Sequence, residues 1–327
     1  MNGLQGTCCL VTGGAGFVGS TIVDQLVFAG AKEVRILDNF VRGSWRNIDW
    51  ALKQAGVSVI EGDIQDTRLV NRAMMDVDYV FHQAALRITR CAEAPREAVE
   101  VLIDGTFNIL EAAIRHKVRK VVAASSASVY GEPSYLPIDE DHPFNNQTMY
   151  GAGKIALEQM LRSLHSTAGL PYIALRPFNI YGPRMDIAGV YTEVLIRWLE
   201  AIDNNTPPLI FGDGSQSMDF VYVEDVARAN LLAAQSGISD DVFNVGSGTQ
   251  TSLNELCMLL LAITGSSQHP EYRAPRSVGN VQRRRAGMEK AERMLGFKPV
   301  VTLEQGLREL INWRGSEKAA STMAVQQ

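Results

Sequence analysis

Little in this chain marks a protein held together by cross-links, metal or lipid. Its 327 residues include four cysteines, Cys8, Cys9, Cys91 and Cys257, and no Cys/His spacing of the metal-binding kind. Buried thiols of a reducing compartment are therefore expected, with no metal. No apolar run approaches the length of a membrane span. The N-terminus shows no basic stretch followed by an apolar core and a small-residue cleavage site. These absences predict a cytoplasmic protein with no membrane partner. Positive charge is not in excess either: the net charge is -5, which argues against a nucleic-acid partner. The run Arg283-Arg284-Arg285 is too short to alter that and reads as a solvated turn. There is no internal repeat and no low-complexity linker.

What remains is an ordinary globular composition, 46% hydrophobic and 20% charged, long enough for one large or two modest domains. The apolar run Thr7 to Thr12 ends directly in Gly13-Gly14-Ala15-Gly16-Phe17-Val18-Gly19, and an amphipathic stretch from Phe17 to Phe28 follows. Strand, glycine turn and helix in that order let a pyrophosphate approach the backbone at a positive helix N-terminus. A second strand, Glu33 to Leu37, ends in Asp38, nineteen residues after Gly19. A carboxylate there suits the adenosine ribose of NAD and repels the 2'-phosphate of NADP. Arg42 and Arg46 just downstream pull the other way.

Further strands are expected at Val57 to Ile60, Asp78 to Phe81, Lys120 to Ala124 and Tyr172 to Arg176, with a long helix at Glu97 to Arg115. His82 reads as a packed strand-end residue. Strands alternating with helices predict an α/β fold, a doubly wound parallel sheet covered on both faces. After Arg184 the alternation loosens. A second, smaller lobe is expected from helix Thr192 to Ile202 and strand Pro208 to Phe211, with Asp219 to Val223 and Val242 to Val245 returning to the sheet. Helices near Ser252 to Thr264, Met288 to Leu295 and Leu303 to Trp313 complete the pattern. Residues 315–327 lack periodicity and are expected to fray.

Two features stand at strand and helix ends where ligands bind in such sheets. Ser125-Ser126-Ala127-Ser128 follows the fifth strand. Tyr150 and Lys154 lie four residues apart on one helix, sharing a face. A phenol has a reference pKa of about 10, and lowering it to 7 takes about 4 kcal/mol of differential stabilisation. A neighbouring ammonium can supply part of that, and a cationic nicotinamide ring more. Alone, a Tyr-x-x-x-Lys pair is commonplace on helix surfaces.

The glycine turn, Asp38, the serine cluster, the Tyr150–Lys154 pair and Arg176-Pro177-Phe178-Asn179 stand in one order, and together they resemble the extended short-chain dehydrogenase/reductase family in its nucleotide-sugar epimerase/dehydratase branch. The resemblance runs from about Gly6 to Trp313. It implies a Rossmann-type sheet with NAD bound by residues 1–177 and by returns near 219–247, and a C-terminal α/β substrate lobe from 178–218 and 248–314. Gly13, Gly16, Phe17, Val18 and Gly19 are implied for the pyrophosphate, Asp38 and Asn39 for the ribose, and Asp63 and Ile64 for the adenine. Ala84, Ala85, Arg87 and Pro177 are implied along the cofactor. Ser126 would hydrogen-bond the reacting oxygen, Tyr150 act as general base, and Lys154 tune it and hold the nicotinamide ribose. Arg87, Asn179, Glu193, Phe211 and Arg276 join the implied substrate site.

The implied reaction is oxidation of a sugar C4 hydroxyl, with hydride passing to NAD and back onto the other face of a 4-keto sugar. Dehydratase relatives carry Asp-Glu after the residue matching Ser126, and decarboxylase relatives a Glu where Ser128 stands; here the positions are Ala127 and Ser128. A 4-epimerase needs neither. A net oxidoreductase or dehydratase, and a non-catalytic NAD-binding scaffold, are the competing readings. The family also implies a homodimer through a four-helix interface of Glu97 to Arg115 and Tyr150 to Ala168. Several positions depart from the family pattern: Leu102, Thr192-Glu193, Met218 in place of a diphosphate-binding arginine, and Ser277 to Asn280. Arg184, Arg276, Arg283 and Arg284 are the candidates to replace the missing cation.

Overall fold

The structure, a computed structural model, describes residues 3–187, 194–275 and 282–325. Its strands are, in order, β1 (Cys8–Thr12), β2 (Glu33–Asp38), β3 (Val57–Glu61), β4 (Tyr79–His82), β5 (Lys120–Ala124), β6 (Tyr172–Pro177), β7 (Asn179–Tyr181), β8 (Leu209–Phe211), β9 (Ser217–Met218), β10 (Phe220–Tyr222), β11 (Asp241–Val245), β12 (Thr251–Ser252) and β13 (Glu271–Arg273). Seven of them form one all-parallel sheet in the order β11-β6-β5-β4-β1-β2-β3. Every residue of β1 is buried, as a central strand covered on both faces requires. One face packs Ile22 and Leu26 of helix Phe17–Phe28 with Val226 and Ala229 of helix Val223–Gln235. The other packs Ile109 and Leu110 of helix Thr106–Arg115 with Leu157 and Leu161 of helix Met149–Ala168.

The reversal of strand order between β1 and β4 leaves a crevice beyond the carboxyl ends of the strands, where the glycine turn, Ala84 and the Ser126 loop all emerge. A separate core of Trp198, Leu199, Leu256, Leu260, Leu307 and Leu310 builds the second lobe. Its strands pair in twos: β7 with β10, β8 with β13, and β9 with β12.

Three expectations need correction. Residues 220–222 do not return to the large sheet, because β6 already has β5 and β11 on its two sides; they pair with β7 instead. The long helix expected from Glu97 starts at Pro95 and contains a π-helical turn, Glu100–Gly105. That turn lies where Gly105 meets Ile64 and Leu102 meets Gly153, each too close for an added methyl. Residues 315–325 are not frayed: helix Leu303–Val325 continues through them. Arg314 and Lys318 both pair with Asp203, and Glu317 lies 3.1 Å from Arg46, so charged contacts anchor a stretch that has no apolar period.

Candidate active site

The glycine turn is shaped by close approach. A Cβ on Gly13, whose φ is +67°, would sit 2.8 Å from the Ala84 amide, and one on Gly19 would sit 2.1 Å from the Gly13 carbonyl. Helix Phe17–Phe28 starts at Gly16, which has no side chain to cap it, so its first amides are left for a ligand's anion. This uncapped N-terminus over a crowded glycine turn fits a dinucleotide pyrophosphate.

Asp38 is buried and already bonded: its carboxylate accepts from the Ala15 amide at 2.9 Å and from the Phe40 amide at 2.9 Å. It fixes the glycine turn to the end of β2. Asn39 donates to Asp63 at 2.8 Å, bringing those two implied residues together, and the buried Ile64 lies against Gly105. Ala84 packs on Gly13, and Ala85 joins Cys91, Leu102 and Tyr150 in a small apolar cluster.

His82 is the packed residue that was expected. Its ring nitrogens face Thr12 Oγ1 at 2.7 Å and Thr106 Oγ1 at 3.1 Å, and burial lowers its pKa to about 3. The four cysteines are free and buried. Among the described residues no group of His, Cys, Asp and Glu is arranged to hold a metal ion.

Beyond β5, Ser126 caps the turn Ala127–Tyr130, accepting from the Ser128 amide at 3.1 Å and donating to the Ser128 hydroxyl at 3.1 Å. Its hydroxyl also faces Tyr150 closely enough to favour the charged form of that phenol. Helix Met149–Ala168 delivers that tyrosine: Thr148 caps it by accepting from Gly151 N at 3.0 Å, and Gly169 ends it in the left-handed region. Lys154, one turn on, is buried; its ammonium donates to the Ala124 carbonyl at 2.6 Å and lies 5.6 Å from the Tyr150 ring centre.

The electrostatics correct one expectation. Burial pushes the Tyr150 phenol above its ordinary value, although the Ser126 hydroxyl and the Arg42 charge oppose this. Burial also lowers Lys154 to about 8. The chain's own groups thus bring the phenol and the ammonium together without making the phenol a ready base, because desolvation disfavours charge on both.

Two residues missed in the sequence hold this apparatus. Glu158, four residues past Lys154 on the same helix, is buried and takes a two-point ion pair from Arg176 at 2.8 and 2.6 Å. It also accepts from Ser125, the neighbour of Ser126. The signal was a glutamate on the inward face of a helix. Asp186 pairs with Arg87 and lies 3.8 Å from Arg42, drawing both arginines to the end of the segment after β7.

On the substrate side, Pro177 ends β6 opposite Val245, and Asn179 donates its backbone N–H to Asp219 O at 3.0 Å. The Asn179 side-chain Nδ2 is buried and makes no hydrogen bond. Phe211 ends β8, half-buried, on the lobe's own small sheet with β13. Glu193 and Arg276, together with Thr192 and Ser277 to Asn280, lie outside the described residues. The arginine run is only partly a solvated turn. Arg283 and Arg285 are exposed, but Arg284 turns inward: it is half-buried, and its Nε is buried without a hydrogen bond.

Residues 9–246 match the family model for the NAD dependent epimerase/dehydratase family. UDP-glucose 4-epimerase of Mycolicibacterium smegmatis is 36% identical over 93% of this chain and 97% of its own length. UDP-N-acetyl-alpha-D-glucosaminuronate decarboxylase of Bacillus cytotoxicus is 34% identical over 93% of this chain and 97% of its own. Among solved structures, UDP-N-acetylglucosamine 4-epimerase from Methanobrevibacter ruminantium, in complex with UDP-N-acetylmuramic acid, superposes with a TM-score of 0.91 at 34% identity, covering 96% of this chain and 99% of that one.

Proposed function

The chain belongs to the NAD-dependent epimerase/dehydratase family, and within it we propose a nucleotide-sugar 4-epimerase that works through a transient 4-keto sugar. The observation that carries this reading is the composition of the acid/base site itself. Tyr150, Ser126 and Lys154 converge at the end of β5, while Ala127 and Ser128 offer no carboxyl group for elimination or decarboxylation.

NAD is the family's cofactor, and when bound it supplies the hydride acceptor and donor. In this reading the glycine turn and the uncapped helix after it hold the pyrophosphate, with Asp38, Asn39, Asp63 and Ile64 around the adenosine. Tyr150 takes the proton of the sugar C4 hydroxyl, and Ser126 hydrogen-bonds the same oxygen. Lys154, with a pKa of about 8, is still largely an ammonium at pH 7 and places a positive field beside the phenol. With the oxidised cofactor bound, its positive charge would add to that field and offset the burial that holds Tyr150 up. Asn179, Phe211, Arg87, Glu193 and Arg276 are assigned to the substrate, whose turnover in the site decides the product.

The decarboxylase relative keeps a different net reaction in view. The experiment is to purify the protein and supply UDP-, dTDP-, GDP- and CDP-sugars with no cofactor added, following the products by NMR. An epimerase gives the C4 epimer catalytically. Stoichiometric release of NADH, or loss of carbon dioxide from a uronic acid, would sink the reading. We also assign the protein to the cytoplasm, where four free thiols stay reduced, and to a homodimer through helices 95–115 and Met149–Ala168. No helix among the described residues is long and apolar enough to cross a membrane.

A further inference from the structure

The sequence holds a conflict at the cofactor end of the sheet. Asp38 disfavours a 2'-phosphate, while Arg42 and Arg46 follow it closely enough to welcome one. The structure sets the chain between the two arginines against the aspartate. A Cβ on Gly43, the residue after Arg42, would sit 2.7 Å from Asp38 Oδ1. Arg46 follows in the first turn of helix Trp45–Leu52. That turn is tied to the glycine turn: Ser44 N donates to Ala15 O at 3.0 Å, Asn47 Nδ2 donates to Ala15 O at 2.9 Å, and Ala15 N donates to Asp38.

Each guanidinium is drawn to a carboxylate from a distant part of the chain. Arg42 lies 3.8 Å from Asp186, and its charge acts on Tyr150 rather than at the adenosine end alone. Arg46 Nη1 donates to Glu317 Oε2 at 3.1 Å. Glu317 belongs to helix Leu303–Val325, whose Leu307 and Leu310 lie in the core of the second lobe. The last helix of that lobe therefore reaches back to the loop after β2. The Arg46 and Glu317 side chains are 58% and 26% accessible, and a pair so exposed adds little to stability. What it changes is where the positive charge stands. A guanidinium is the group suited to a phosphate, through paired charge-assisted hydrogen bonds, and this one is already bonded to a carboxylate.

We propose that Glu317 is a cofactor-specificity residue: by holding Arg46 it keeps that cation from a 2'-phosphate and completes the preference for NAD that Asp38 begins. This concerns cofactor choice and stands whichever sugar reaction the site performs.

The test is equilibrium dialysis of the purified protein against an equal mixture of NAD and NADP, followed by chromatography of the nucleotide retained. Releasing Arg46 in Glu317→Gln should raise the bound NADP:NAD ratio about three- to tenfold, a modest change because the pair is partly exposed. The NAD content with NAD alone should match wild type, which also shows that the variant is folded. Glu317→Asp, which keeps the charge, should stay near the wild-type ratio, and Arg46→Gln added to Glu317→Gln should return the ratio to it. An unchanged ratio in Glu317→Gln overturns the proposal. A raised ratio that survives the added Arg46→Gln also overturns it, since the effect would then not pass through Arg46. A Glu317→Gln protein that retains neither nucleotide overturns it as well, because Glu317 would then serve the fold.

Discussion

At the scale of single residues, the site is a pair of ionisable groups that burial makes reluctant to charge. Tyr150 is pushed up and Lys154 down to about 8. Burial thus favours the neutral phenol, and in the proposed reaction Tyr150 would accept the proton once further positive charge stands beside it. Tyr150→Phe is expected to lower kcat by about 10²- to 10⁴-fold while NAD binding by titration stays the same. Undiminished turnover in that variant would remove Tyr150 from the mechanism. His82 gives a pH-dependent counterpart. Its folded pKa of about 3 lies below its ordinary 6.5, so the unfolded chain binds the extra proton between those values. Stability is therefore lost as pH falls through that window, by at most about 1.4 kcal/mol per pH unit from this residue. Denaturant titrations from pH 7 to 4 should show a shallower acid loss in His82→Gln; the same slope in both proteins would assign the loss to other groups.

At the scale of elements, helix Met149–Ala168 is held in register by one buried carboxylate. Glu158 joins the helix to β6 through Arg176 and to the end of β5 through Ser125, so the helix carrying Tyr150 and the loop carrying Ser126 share an anchor. Arg176 also donates to Tyr130 at 2.8 Å, and Tyr130 donates to Asn244 at 2.7 Å, extending the tie to β11. Breaking such a pair by removing one partner leaves an uncompensated buried charge. Arg176→Met should therefore destabilise the fold by about 3–5 kcal/mol in denaturant titrations. Ser125→Ala, which leaves the ion pair whole, should instead lower kcat with little change in melting temperature. A Ser125→Ala protein with wild-type kcat would show that Glu158 serves stability only. The helix itself was legible in the sequence as the element carrying Tyr150 and Lys154 and running to Ala168. Its anchor was not, because a glutamate in a helix announces a solvent contact unless its partner on another strand is known. The π-helical turn at Glu100–Gly105 was hidden for a similar reason: it follows the contacts of Leu102 and Gly105, not the local pattern.

At the scale of the whole molecule, helices Thr106–Arg115 and Met149–Ala168 cover one face of the sheet and expose Phe107 and Met149 outward, 43% and 39% accessible. In the proposed dimer these side chains meet the same helices of a second copy. Sedimentation at micromolar concentration should give twice the chain mass of 35.8 kDa, and Phe107→Glu should shift it toward the monomer. A monomer at every concentration would refute the interface. The sequence by itself determined the large sheet, the glycine turn and the order of its reactive residues. Each of these is written in local signals: an apolar run with a fixed period, a glycine where a side chain cannot fit, a phenol and an amine one turn apart. The tertiary structure alone decided the rest: that residues 220–222 pair outside the sheet, that helix Leu303–Val325 continues past Trp313, that Glu158 braces the catalytic helix, and that Arg284 of an arginine run faces inward. Those outcomes depend on which distant segment occupies the neighbouring space, and burial and pairing across such contacts leave no periodic mark in the chain.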